Sequence, residues 1–212
     1  MTAPRPVAPD ALPELLADLF VEATGGGRLR VAIDGADAAG PGDLAAALVD
    51  PLRRRGVEAL RVRTGDYLRP ASLRYEHGRT DPDSFYESWL DAGALEREVL
   101  APLGPGGSGR WLPALWDAVA DRATRAAYSQ AGPRAVLLVD GAFMLGRGLG
   151  FDLGVHLHVG PGALARRTPA ELRWTLPAHA RYAIEVAPLE IADVVVRMDD
   201  RRHPAIQLPE VA

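Results

Sequence analysis

The stretch richest in chemistry runs from Leu29 to Val49, LRVAIDGADAAGPGDLAAALV, where an apolar run, a glycine turn and a helix start follow one another. Gly35, four further residues and Gly40 have the spacing of a phosphate-binding loop, G-x-x-x-x-G-K-[ST], whose backbone N–H groups cradle phosphate oxygens at a helix N-terminus. In that pattern the lysine clamps the phosphates and the hydroxyl holds a metal ion. Here Pro41 and Gly42 stand at those positions and Asp43 follows. Pro41 also removes one N–H donor from the cradle. The chain contains no lysine, so all 24 residues of the Lys+Arg total are arginine and no distant lysine substitutes.

Asp43 has more than one reading. As the cap of the following helix it bonds the amides a phosphate would use; as a carboxylate in the anion hole it replaces the phosphate; the third reading is an altered nucleotide site that still works. A carboxylate about 4 Å from a phosphate charge costs about 4 kcal/mol at an effective dielectric near 20, unless a cation intervenes. Asp34 and Asp140 each close an apolar strand, and acids at neighbouring strand ends suit Mg²⁺ with its water shell. Strand-end aspartates are also turn formers. His156 and His158 alternate with Val155, Leu157 and Val159 and fall on one strand face, where packing against a helix suits them better than a metal site lacking a third ligand.

Positioning these groups takes alternating strands and helices. Asp10 is placed to cap a helix carrying Leu12, Leu15, Leu16, Leu19 and Phe20 on one face. Arg28 to Asp34 reads as a strand, Asp43 to Arg55 as a helix and Val57 to Arg63 as a strand of imperfect alternation, feeding a polar loop from Thr64 to Thr80. Pro82 to Leu100 is helical in two pieces broken around Asp91, and Gly104 to Gly109 is a loop. The spacing of Leu112, Leu115, Trp116 and Val119 predicts a helix over Trp111 to Tyr128 despite Pro113. Ala135 to Val139 reads as a buried parallel strand, Asp152 to Val159 as another, Thr168 to Val186 as a helix interrupted near Pro177, and Asp193 to Met198 as the last strand. The pattern predicts an α/β fold, a doubly wound parallel sheet with helices on both faces and ligands at the carboxyl ends of the strands. The domain division is residues 1–27 as an N-terminal helix, 28–204 as the α/β domain and 205–212 as a tail.

Composition sets outer bounds. The 212 residues suit one α/β core, with 48% hydrophobic and 25% charged residues. A formal charge of -4 gives no bulk attraction to nucleic acid or to anionic membranes, and no apolar run reaches the length of a membrane span. With 0 Cys and no secretion signal in MTAPRPVAPD, the expected location is the cytoplasm.

Four motifs in order carry a resemblance: IDGADAAGPGD at Ile33 to Asp43, GDYLRP at Gly65 to Pro70, FYESWLD at Phe85 to Asp91, and ADVVV at Ala192 to Val196, with VLLVDGAFML at Val136 to Leu145 between the last two. The chain resembles the uridine kinase-like branch of the P-loop kinases from about Arg28 to Pro204. The resemblance implies a P-loop NTPase-like fold and transfer of a γ-phosphoryl group from ATP, with Mg²⁺, to a hydroxyl of a nucleoside-like small molecule. It assigns the nucleotide to Gly35, Asp37, Gly40, Gly42 and Asp43 and the metal to Asp34 and Asp140. Asp66 matches the second aspartate of the family's D-D-F motif, the first being Gly65 here, and takes the general-base role. Arg166 and Arg167, followed by Arg173 and Arg181, match the phosphate-closing lid, Arg166 being the leading substitute clamp. Tyr67, Arg69, Tyr75 and His77 lie where related kinases hold the acceptor. Because clamp, metal hydroxyl and first aspartate are missing together, the expectation is weak or lost transfer, with a non-catalytic pseudokinase that binds a metabolite or partner as the alternative. A homodimer is compatible with either.

Overall fold

The computed structural model describes residues 2–208. Its centre is a seven-stranded sheet built from β1 (Arg5–Pro6), β2 (Arg28–Asp34), β3 (Glu58–Arg63), β4 (Ala135–Gly141), β5 (Leu153–His158), β6 (Val194–Arg197) and β7 (Ala205–Gln207). The spatial order is β1-β7-β6-β5-β2-β4-β3, with β3, β4, β2, β5 and β6 parallel and β7 and β1 added antiparallel at one edge. The sheet is therefore a mixed one with a parallel centre, flanked by helices on both faces as the alternating pattern requires.

Register decides which side chains meet. Side chains alternate across a strand, and in this sheet Ile33 pairs with Asp140 while Asp34 pairs with Gly141 and His156. Leu29, Val31 and Ile33 face α1 (Ala11–Ala23) and α2 (Pro41–Arg54), and form a core with Leu16, Phe20, Leu48 and Leu52. The other face, with Ala32, Leu137 and Val139, packs under α3 (Pro82–Glu87) and α5 (Leu176–Glu185). Between those two helices in sequence, α4 (Pro161–Arg167) follows β5 directly.

Several elements differ from expectation. Residues 111–128 form no helix; Arg110–Trp111 pairs with Ser129–Gln130, and Trp116–Asp117 with Arg122–Ala123. The helical spacing there does not face one core, since Leu112 is buried and Val119 is 99% exposed. The Asp117 carboxylate instead accepts from Val119 N and Ala120 N, both at 3.0 Å, and closes a turn. The expected long helix of residues 168–186 is a 3₁₀ stretch, Ala170–Thr175, followed by α5; Pro177 sits in the first turn of α5, where its missing N–H costs nothing. Residues 205–207 of the expected tail form β7, and residues 209–212 lie outside the described residues. Asp10 precedes α1 but makes no side-chain capping bond, whereas Asp81 caps α3 through Ser84 N at 2.6 Å.

Candidate functional site

The Gly35–Gly42 turn joins β2 to α2. Gly35 is required by close approach, because a Cβ there would meet the Leu157 carbonyl oxygen at 2.9 Å. A 3₁₀ turn, Asp37–Ala39, leads to Gly40 at φ 84° and ψ 42°, the left-handed region that favours glycine. Gly40 is the N-cap of α2 and Pro41 its first residue, so the helix starts cleanly without a lysine.

Asp43 lies in the first turn of α2, exposed, and makes no side-chain capping bond. The cap reading is thereby corrected: Gly40, through its left-handed backbone, takes the N-cap position. The Asp43 carboxylate bends back to 3.2 Å from where a Gly40 Cβ would sit. Its charge favours the positive end of the helix dipole without closing the amides.

The two strand-end acids do not meet. Being one register step apart, they point to opposite faces of the sheet. Asp34 is fully buried and engaged by three donors: Met144 N to Oδ1 at 2.9 Å, the Tyr182 hydroxyl to Oδ2 at 3.0 Å, and His156 Nδ1 to Oδ2 at 2.7 Å. Asp140, 6% exposed, faces α2 and pairs with Arg61 through Nε to Oδ1 at 2.6 Å and Nη2 to Oδ2 at 3.2 Å. The same Nη2 donates to the Gly42 carbonyl at 2.9 Å. A Cβ on Gly42 would lie 3.2 Å from both Arg61 Nη2 and Asp140 Oδ2. The Arg61–Asp140 pair thus fills the space beside position 42, where the phosphate-loop pattern places a hydroxyl and its metal.

A cleft of about 310 Å³ opens above this corner, lined by Asp37, Gly40, Pro41, Asp43, Arg63 and Asp140 among others. With Asp140 paired to Arg61, its rim carries the carboxylates of Asp37 and Asp43 and the Arg63 guanidinium, and Arg201 reaches the loop through Nη2 to the Ala38 carbonyl at 2.8 Å. Asp37 reaches solvent, yet the crowded surroundings of the loop, and then the nearby Asp140 carboxylate, raise its pKa above the usual carboxylate range.

The remaining expected site residues are dispersed. Asp66 is held by Arg63 of its own turn, Nε to Oδ2 at 2.9 Å and Nη2 to Oδ1 at 2.8 Å. Tyr67 is buried with its hydroxyl on the Leu112 carbonyl at 2.6 Å, and burial pushes its pKa up; it faces the core rather than an open acceptor site. Tyr75 packs edge-on to Trp89 and accepts from Arg74 Nη1 at 3.1 Å, while Arg69 and His77 are exposed. Arg167 donates to the carbonyls of Met198, at 2.6 Å, and Asp199, tying α4 to the loop after β6. Arg166 is exposed. Arg181 lies among Asp83, Glu87 and Glu185, which pins α5 to α3.

No motif or spacing in the sequence marks Arg61 as a site residue. The only trace there was the imperfect alternation of the second strand, which sets an arginine at an inward position of β3. Tyr182, the helix-borne partner of Asp34, left no signal at all.

The parallel sheet order, the strand–turn–helix at Gly35–Gly42 and the aspartate ending β4 define the fold of the P-loop kinases. A possible uridine kinase from Bacillus stearothermophilus superposes with a TM-score of 0.70 at 19% identity, covering 86% of this chain and 96% of that one. A protein assigned as a fructose transport system kinase from Silicibacter sp. TM1040 gives 0.57 at 21% identity, over 88% and 95%. The YGR205w protein gives 0.65 at 9% identity, over 96% and 100%. No family model matches the chain, and no curated protein matches it significantly.

Mg²⁺ and ATP are the groups such a fold implies, and the donor set here does not fit them. Both Asp140 oxygens are taken by Arg61, Asp34 faces the opposite layer, and position 42 offers no hydroxyl. Among the described residues no group of three His, Asp or Glu side chains is placed to hold a metal ion. No helix is long and apolar enough to cross a membrane.

Proposed function

We propose that this protein comes from the lineage of ATP-dependent kinases acting on small hydroxyl acceptors, and that it has lost phosphoryl transfer and serves as a non-catalytic binding module for a metabolite or partner. The observation that carries this reading is the Arg61–Asp140 ion pair, closed over Gly42 by the bond to its carbonyl. Phosphoryl transfer depends on positioned cations around the phosphates. Here the cation nearest the strand-end acid is already spent on that acid, and the free rim of the cleft carries Asp37 and Asp43. An incoming triphosphate meets repulsion where the fold ordinarily supplies attraction.

Acceptor chemistry is equally short of parts. Asp66, the expected base, has both oxygens on Arg63, and Gly65 stands where the resemblance places the first aspartate. The groups of such a site act as a unit, and losing one of them typically costs orders of magnitude in rate. A nucleoside-like ligand and a homodimer remain compatible with the binding role, and the absence of cysteine suits a reducing cytoplasm.

The test combines thermal shift with a labelled-phosphate assay. A ligand at 100-fold excess over its Kd stabilises the folded chain by about 2.7 kcal/mol, which a melting curve resolves. The expected outcome is no shift with Mg·ATP and no transfer to uridine or other nucleosides. A nucleotide-induced shift together with labelled uridine product overturns the reading.

A further inference from the structure

We infer that the cavity between β5 and α5 binds a small neutral molecule with a largely apolar body and a hydroxyl or carbonyl group, recognised by His156, His158 and His179. The inference rests on reading the chain as a binding module and names the class of ligand. The cavity measures about 460 Å³ and shares no lining residue with the acidic cleft over Gly40 and Asp43. Its volume falls in the range of about 300–1,000 Å³ typical of small-molecule sites.

The cavity opens to solvent at one edge, and its size and mostly apolar walls are those of a ligand pocket. Small side chains at Ala39, Ala165, Ala180 and Ala183 hold it open, and Leu164 and Leu176 give it apolar walls. Two imidazoles, His156 and His158, come from β5 and the third, His179, from α5. Among the described residues, histidine ring nitrogens find protein partners only at His156 Nδ1 and His203 Nδ1. The Asp34 carboxylate accepts at both oxygens, so His156 Nδ1 donates to it and Nε2 has no protein partner. His158 and His179 bring further donors and acceptors without protein partners. Polar groups in an apolar enclosure call for hydrogen bonds from a ligand or from water.

The surroundings select against an anion, and the Glu190 carboxylate stands at the exposed edge of the lining. Burial holds the His179 imidazole down at about 4 and lowers His158 as well, so both rings are neutral at neutral pH. An anion finds no cation on this wall, and Asp34 behind His156 repels it further. A metal ion is disfavoured because no group of three His, Asp or Glu side chains is placed to hold one among the described residues. The centres of the His156 and His158 rings stand 6.2 Å apart, a spacing that suits two polar contacts along one ligand.

The experiment follows the ring signals of the 5 histidines in isotope-labelled, full-length protein at neutral pH while phenol, and separately benzoate, is titrated in. His77 and His203 are exposed, outside the cavity, and serve as internal controls. Phenol is expected to move the His156, His158 and His179 signals along one saturating curve and leave the controls still. Benzoate, of similar size but charged, is expected to bind about tenfold more weakly or worse, because its carboxylate must be desolvated. Ala180→Trp, which sets an indole against the cavity, is expected to weaken the phenol response at least tenfold. If that variant fails to fold, the contrast between ligands and between histidines in the native chain still decides. Absence of a saturating shift, equal movement of the controls, or equal binding of benzoate overturns the inference. Phosphoryl transfer from ATP would instead overturn the proposed function, a separate readout.

Discussion

On the proposed function, Arg61 is the residue on which the loss of phosphoryl transfer turns. It sits on β3, two residues before Arg63, and reaches across to Asp140 and to the first turn of α2. Asp140 is nearly fully buried, so taking the guanidinium away strands a charge in a poorly solvated place. Arg61→Met is therefore expected to destabilise the fold by about 2–4 kcal/mol, the lower part of that range reflecting the partial exposure of Arg61. Urea unfolding at neutral pH measures this directly, and a loss below about 1 kcal/mol would show that the pair contributes as little as an ordinary surface bridge. The same geometry sets the outcome of repairing the loop. A serine at position 42 places its Cβ against Arg61 Nη2 and Asp140 Oδ2, so Pro41→Lys with Gly42→Ser alone is expected to give no Mg·ATP binding by calorimetry. Adding Arg61→Gln frees the carboxylate and is expected to produce measurable binding; binding by the double variant without it would remove Arg61 from the explanation.

At the scale of elements, α5 is held over β5 and β2 by polar groups buried between them. Tyr182 and His179 on α5, and His156 on β5, meet above Asp34. This layer has a pH signature. In the unfolded chain His179 takes up a proton near its ordinary 6.5; in the folded chain it does so only at about 4. Between those values the unfolded state binds more protons, so stability is full above about pH 6.5 and falls as the pH drops toward 4. The loss assigned to His179 is about 2–3 kcal/mol, taken low because the cavity admits water to the ring, and His158 acts in the same direction. His179→Phe is expected to lose about that much less than the wild type over the same range in pH-dependent urea melts. Equal slopes for the two proteins would contradict the assignment.

The whole molecule explains why some of this was visible in the sequence. The apolar run Ala135 to Val139 between turn residues, and the glycine spacing at Gly35 and Gly40, report local requirements, and so the sheet and the turn at its switch point could be read directly. Helical periodicity misled over residues 111–128, because Leu112 and Trp111 pack into the core from short hairpins instead of one helix face. The edge strand β7 is three residues long and depends on β6 and β1 to exist, which no local pattern announces. For the site, the spacing placed Asp34 and Asp140 at neighbouring strand ends, yet their relative register, and hence their separation onto opposite faces, is a property of strand pairing. Arg61 joined Asp140 across 79 positions, a contact that only the assembled sheet brings about.

On the proposed function, the Arg61–Asp140 pair, and not Mg²⁺ with a triphosphate, belongs in the corner beside Gly42. Crystals of the full chain soaked with Mg²⁺ and a non-hydrolysable ATP analogue test it most directly. The expected density shows the ion pair intact, with no triphosphate over Gly40 to Gly42. Phosphates seated on those amides, with a metal ion on Asp140 and Arg61 swung away, would contradict it.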